Sequence, residues 1–209
     1  MARNNNVRNL GIWVFGAAFV AFSEAVALGW LHMADLWVLR KVREHPSDFL
    51  HWTSELFSLL GVAEITTLVL VGLLAALSLW GPKVLVGRLL VIFVVTGILE
   101  FVMKLLLPQV PTPQASHQMD QMENFWLLSA FGSPYSYPSG HMLRGVIVLG
   151  ALCFLSRSRL LRAVVVMLLL GLAASRVYLE EHWLSDVVGG ALLGASALLW
   201  AFRKEGPKL

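Results

Sequence analysis

The sequence predicts an all-α, polytopic membrane protein: a six-transmembrane-helix bundle forming one domain over residues 1–209. Three observations carry that expectation. Of the 209 residues, 57% are apolar and only 14% charged, whereas soluble domains run about 45–50% and about 25%. Charge that sparse cannot cover a water-facing surface, and the mean hydropathy is +0.72. Six apolar stretches approach the roughly 20 residues that a bilayer crossing needs. Eight Trp and eleven Phe suit a chain with lipid-facing and interfacial aromatics. The lone Cys153 excludes a disulfide framework and a Cys-rich metal centre. A net charge of +3, with its basic residues scattered, gives no footprint for nucleic acid.

The first span runs from about Leu10 to Leu31, interrupted by Glu24. Arg3 and Arg8 ahead of it, and Ala25-Val26-Ala27 inside it, imitate a cleaved signal. The run is longer than a signal's apolar region, so a retained membrane anchor is predicted. Asp35–His51 reads either as a short interfacial helix, with Leu36, Val38 and Leu39 against Arg40, Lys41 and Arg43, or as a solvated loop. The second span covers Leu56–Trp80 and includes Glu64; the third covers Val84–Leu107, with Arg88 near one end and Glu100 and Lys104 near the other. Pro108–Pro138, rich in Pro, Gln and Met, is the longest polar interruption and reads as one irregular loop. Its Met119 and Met122 suit either contact with lipid chains or loop filling. The last spans are His141–Leu155, Leu161–Tyr178 and His182–Phe202. Basic residues concentrate at the termini and in the second and fourth connections (Lys83, Arg157, Arg159 and Arg203 among them). Cytoplasmic termini in the cell membrane, with Pro108–Pro138 outside, are therefore expected.

Ionisable residues at span ends are costly in a bilayer and mark function. Three groups fall on the predicted outer side. Lys104 ends the third span. Pro138-Ser139-Gly140-His141 opens the fourth, with Ser139 suited to cap the helix and Gly140 to let an oxyanion approach its free amides. A plain cap beside an interfacial histidine explains that group equally well. Ser175-Arg176 closes the fifth span, and His182 and Asp186 open the sixth. Four residues apart on a helix, His182 and Asp186 share a face, so the carboxylate can fix the imidazole tautomer. Alone, that pair serves as well for a structural hydrogen bond. An Arg, two His and an Asp at helix mouths on one side are harder to explain by structure alone.

Lys104, Pro138-Ser139-Gly140-His141 and Ser175-Arg176-x5-His182-x3-Asp186 resemble the three signatures of the type 2 phosphatidic acid phosphatase superfamily, also called lipid phosphate phosphatases. The second and third signatures match in full. The first departs: the family's Lys-x6-Arg-Pro is met here by Lys104 followed by Pro111-Thr112, so one phosphate-binding Arg is missing. Arg144, one turn after His141, is either its substitute or a snorkelling arginine. The resemblance implies an active site at the outer helix mouths. His182 would be the nucleophile, oriented by Asp186, and His141 the general acid and base. Lys104, Arg176 and the amides of Ser139 and Gly140 would hold phosphate, joined by Arg144 where it substitutes for the missing arginine. The sequence, with no H-E-x-x-H and no carboxylate cluster, suggests no metal or cofactor, and the resemblance implies a lipid phosphate substrate: phosphatidic acid, phosphatidylglycerol phosphate, a polyprenyl phosphate or diphosphate, or a lipid A phosphate. The missing Arg points toward a monophosphate. A phosphotransferase using the same histidine, or a non-catalytic membrane protein with a degenerate site, are the competing readings. Glu100, one turn before Lys104, is placed to pair with it, and Tyr178 either lines the headgroup pocket or sits at the interface. A monomer or weak dimer is expected.

Overall fold

The computed structural model describes residues 2–114 and 135–203, with side chains from residue 9 onward. Met119 and Met122 lie outside the described residues. Among those described, every regular element is helical: α1 (Ala2–Ala27), α2 (His32–Arg43), α3 (Asp48–Ser58), a 3₁₀ turn (Leu59–Gly61), α4 (Ala63–Trp80), α5 (Lys83–Leu106), α6 (Gly140–Leu155), α7 (Arg159–Tyr178) and α8 (Leu184–Ala201). Five of these, α1, α4, α5, α7 and α8, are long and apolar enough to cross a bilayer. The sixth, α6, has 16 residues, about 24 Å at 1.5 Å per residue. It is shorter than the hydrocarbon core, because its first turn begins inside the bundle.

Three predicted boundaries shift. α1 stops at Ala27 because Gly29 takes a left-handed φ of 73° and turns the chain. The second apolar run breaks, so its span begins at Ala63 and not Leu56. The break sits at buried Gly61, where an added Cβ would lie 2.6 Å from the His141 Cβ, so only glycine lets the 3₁₀ turn lie against the start of α6. The segment Asp35–His51 does hold a short helix, with Leu36 to Arg43 all on α2, but the helix begins earlier and does not run the length of the segment. The segment lies across α2, a turn, and the start of α3, where the Ser47 hydroxyl accepts from Leu50 N–H as N-cap.

α6 and α8 form the centre. α1 packs along α8, α8 along α6, α6 along α7, and α3 against α7. Leu89, Leu143, Ile147, Val148, Ala151 and Leu198 are buried where α5, α6 and α8 meet. Lipid is as apolar as leucine, so close van der Waals fit holds these helices together. α4 is the opposite case, with Leu68, Val71, Leu79 and Trp80 facing outward. The run of α1 against α8 is antiparallel. Ser23 meets Tyr137 beside the start of α8, and Ser196 near its end donates to the Ile12 carbonyl. Both ends of the described chain thus lie away from the helix mouths that carry the polar groups. There Arg88 donates to the Arg203 carbonyl at 2.7 Å and holds the chain just past α8.

Candidate active site

Sequence places a histidine and a carboxylate across the first turn of α8, and the fold buries both. Asp186 is the third residue of α8 and fully buried. An acid there complements the positive end of the helix, and its Oδ2 accepts from Trp183 N–H at 2.9 Å. His182 Nδ1 lies 3.2 Å from the same oxygen. A carboxylate can only accept, so Nδ1 carries the proton and Nε2 keeps its lone pair. His182 lies just outside the membrane-spanning segment. Burial pushes its pKa below the ordinary imidazole value, and Asp186 opposes the shift only in part.

The start of α8 is held from two further directions. On α2, buried Asp35 accepts from the Ser185 N–H at 2.9 Å and the Ser185 hydroxyl at 2.7 Å. From the chain after α5, Gln109 Nε2 donates to Asp186 Oδ1 at 2.6 Å, and Trp183 Nε1 donates to the Val110 carbonyl at 2.8 Å. The turn between α7 and α8 holds Glu180 at a left-handed φ of 57°, which costs a non-glycine residue about 1–3 kcal/mol. Arg43 of α2 grips that carboxylate with two hydrogen bonds of 2.7 and 2.6 Å. The next two residues of this turn are Glu181 and His182.

Around His182 opens a cavity of about 380 Å³ lined by Lys104, Thr112, Gln114, His141, Arg144, Arg176, Glu181 and His182. Five of the eight residues singled out from sequence are therefore on one wall system: His182, His141, Lys104, Arg144 and Arg176. Arg176 is 2% exposed. Its guanidinium donates to the Ser58 hydroxyl and to the Glu181 carboxylate. Among the described residues its Nε has no hydrogen-bond partner. Opposite, buried Glu100 accepts from Lys104 Nζ at 2.8 Å through Oε1 and from Arg144 at 3.0 Å through Oε2. Arg144 also donates to the Gly61 carbonyl. One acid thus holds two cations at the cavity edge.

Asp186, Ser139 and Gly140 stand behind the wall. Ser139 is fully buried; its N–H is spent on the Asp186 carbonyl at 2.9 Å and its hydroxyl caps α6 at Met142 N–H. That amide is not free to hold an oxyanion, contrary to the expectation from the motif, because the cap of one central helix is bonded to the next. Gly140 backs onto Glu100, whose carboxylate an added Cβ would overlap. Tyr178 does not take the first of its two expected places, the headgroup pocket. Its hydroxyl exchanges hydrogen bonds with Ser47 at 3.0 and 3.1 Å, tying α7 to the α2–α3 turn, and it does not line the cavity. The Glu100–Lys104 pair is present as the spacing suggests. Glu181, Thr112, Gln114 and Ser58 escaped the sequence reading. Only Glu181, an acid beside the motif histidine, carried a signal.

The model of one family, the PAP2 superfamily, matches residues 83–208, a range holding every motif residue named above. The chain belongs to the PAP2 superfamily. This PAP2 chain is 33% identical over 177 residues to an undecaprenyl-diphosphatase of Sulfolobus acidocaldarius, covering 73% of this chain and 79% of that protein. Its fold is similar to that of the crystal structure described as the first transmembrane PAP2 type phosphatidylglycerolphosphate phosphatase, from Bacillus subtilis. The TM-score is 0.68 at 19% identity, covering 91% of this chain and 93% of that one.

Proposed function

We propose that this PAP2 protein removes phosphate from a membrane lipid through a phosphohistidine formed on His182. The observation that carries the reading is the buried Arg176, its Nε unpartnered among the described residues, on the wall of a cavity shared with Lys104, Arg144 and two imidazoles. A buried guanidinium N–H left without a partner suits an oxygen of a phosphoryl group. In the proposed sequence His182 Nε2 attacks phosphorus, and the P–O bond to the lipid breaks. His141 gives its proton to the leaving oxygen. Asp186 stabilises the charge that His182 acquires. His141 then takes a proton from water as it attacks the phosphohistidine, releasing phosphate and restoring both histidines. Lys104, Arg144 and Arg176 stabilise charge on the transferring oxygens, the largest contribution in such transfers. Ser139 and Gly140 act as scaffold.

The site sits at helix mouths, where a headgroup can reach polar residues while its tail stays in lipid. The exposed apolar Trp30, Met33 and Trp37, next to Arg40 and Lys41, suit α2 to the bilayer surface beside it. The proposed orientation has cytoplasmic termini and a cavity facing the periplasm or exterior. Arg144 supplies a third cation where Pro111 and Thr112 stand in the first signature, so lipid diphosphates and monophosphates both fit the charge. The Sulfolobus relative's name makes a polyprenyl diphosphate the first substrate to test.

The test is phosphate release by detergent-purified protein from phosphatidic acid, phosphatidylglycerol phosphate, and polyprenyl mono- and diphosphate, with EDTA present and no added acceptor. Release by the wild type and none by His182→Ala is expected, since no step above assigns a role to a metal. Loss of all activity in EDTA would contradict the metal-independent scheme. Release only after an acceptor alcohol is added would make the protein a transferase.

A further inference from the structure

Asp186 has two oxygens to satisfy, and only one of them serves the histidine. Oδ2 takes Trp183 N–H and faces His182 Nδ1. Oδ1 takes Gln109 Nε2 at 2.6 Å. Gln109 falls at an unspecified position of the first motif, between Lys104 and Pro111, and does not line the phosphate cavity. It belongs to the short segment between α5 and Gln114, which the Trp183 indole pins at Val110. Its amide orientation follows from chemistry: Asp186 only accepts, so the NH2 end must face it. The other end, Oε1, accepts from the Ser136 hydroxyl at 3.2 Å. A chain of hydrogen bonds therefore runs Ser136 to Gln109 to Asp186 to His182, entering the catalytic pair from behind.

Resting on the phosphatase reading above, we propose that Gln109 is a positioning residue that holds the Asp186 carboxylate rotated so that Oδ2 serves His182. The geometry requires a neutral donor at this point. Without it Oδ1 is a buried acceptor with no partner among the described residues, and the carboxylate is free to turn toward another donor or to take up a proton. Either change weakens support for the charge on His182 during the reaction, while the cations that bind phosphate stay in place. The effect therefore falls on kcat and leaves KM nearly unchanged.

An isosteric acid gives the sharpest test. In Gln109→Glu a protonated side chain still donates to Asp186, whereas an ionised one places like charge against it. Two carboxyls this close share one proton and titrate as a pair. The other charged or titratable groups facing them are His182 itself, Asp35 on α2 through Ser185, Tyr137 beneath, and Lys104 and Arg176 across the cavity.

Phosphate release from phosphatidic acid and from a polyprenyl diphosphate would be followed against pH for wild type, Gln109→Glu, Gln109→Leu and His182→Ala. The expected result is a kcat for Gln109→Leu lower by about tenfold or more, with KM within about twofold. Gln109→Glu is expected to work at acidic pH, lose kcat as pH rises through a titration that the wild type lacks, and recover on return to acid. That recovery shows the fold is intact even if Gln109→Leu does not assemble. A Gln109→Glu profile parallel to wild type, or a Gln109→Leu kcat within about twofold of it, overturns the inference and leaves the phosphatase reading standing. A wild type that releases no phosphate from either lipid overturns both.

Discussion

The two walls of the cavity are built on different principles. On the α7–α8 side each group is fixed singly. Asp186 is held by Trp183, Gln109 and His182, and Arg176 is anchored by Ser58 and Glu181 with its Nε unpartnered among the described residues. On the α5–α6 side one buried carboxylate, Glu100, is shared by Lys104 and Arg144. The first wall carries motif residues that match the family at every position. The second carries the fully matching Pro138–His141 motif at the start of α6 and also, after Lys104, the one departure from the family pattern. On the reading proposed above, Arg144 offsets the missing cation from a different helix face, with a buried acid placed to receive both charges. The account assigns the nucleophile and one phosphate-holding arginine, Arg176, to the first wall, and the other two cations with the general acid, His141, to the second; the predictions below separate those roles.

The largest effect belongs to the first wall. His182→Ala is expected to abolish turnover. Asp186→Asn should cost about 10⁴-fold in kcat, the scale seen when the orienting carboxylate of a serine protease triad is replaced. Single-turnover measurement of phosphate release checks both. Retention of more than a tenth of the activity by Asp186→Asn would break the assignment of the chemistry to this wall.

Next comes the support of the second wall. A Cβ at position 140 would overlap the Glu100 carboxylate. Gly140→Ala should therefore displace Glu100 and mimic Glu100→Gln, each lowering kcat/KM by about 10–100-fold, the scale of lost supporting partners at metal sites. If Gly140→Ala falls while Glu100→Gln keeps wild-type kinetics, the shared carboxylate is not what holds the cations. Arg144→Ala should raise KM about tenfold or end turnover, and Arg144→Lys should recover only part, since an ammonium lacks the fork that reaches both Glu100 and the Gly61 carbonyl. Wild-type constants in Arg144→Ala would remove Arg144 from the site.

The smallest effect is on pH. His182 must be neutral to attack, and burial shifts its pKa downward from 6.5. Protonation, and with it the loss of activity, is thus displaced to lower pH. The acid limb of kcat/KM should fall below pH 6.5, and a limb above that value would contradict the burial of the nucleophile.

Much of this arrangement was legible in the residues themselves. Apolar run lengths exposed the membrane class, and local spacing exposed the His182–Asp186 and Glu100–Lys104 pairs, because partners four apart on a helix leave a periodic mark. The break at Gly61 was not legible: an apolar run reads the same whether or not a turn interrupts it, and the cause is contact with His141 far along the chain. Asp35 to Ser185, Gln109 to Asp186 and Arg144 to Glu100 join residues 150, 77 and 44 positions apart. Such pairs exist only once helices from distant parts of the chain are packed, so no local pattern announces them. The Ser139 amide shows the same limit from the other side. Its motif suggests an anion cradle, yet the adjacent helix claims the donor.

The most direct test of the central claim is to trap the covalent intermediate. Protein would be mixed with polyprenyl diphosphate or phosphatidic acid labelled in the departing phosphate, quenched in alkali within the first turnover, and mapped by peptide. The account predicts acid-labile, alkali-stable label on the peptide containing His182, absent in His182→Ala and accumulating in a variant of His141. Phosphate release by an active wild type with no label on His182 at any quench time would contradict it.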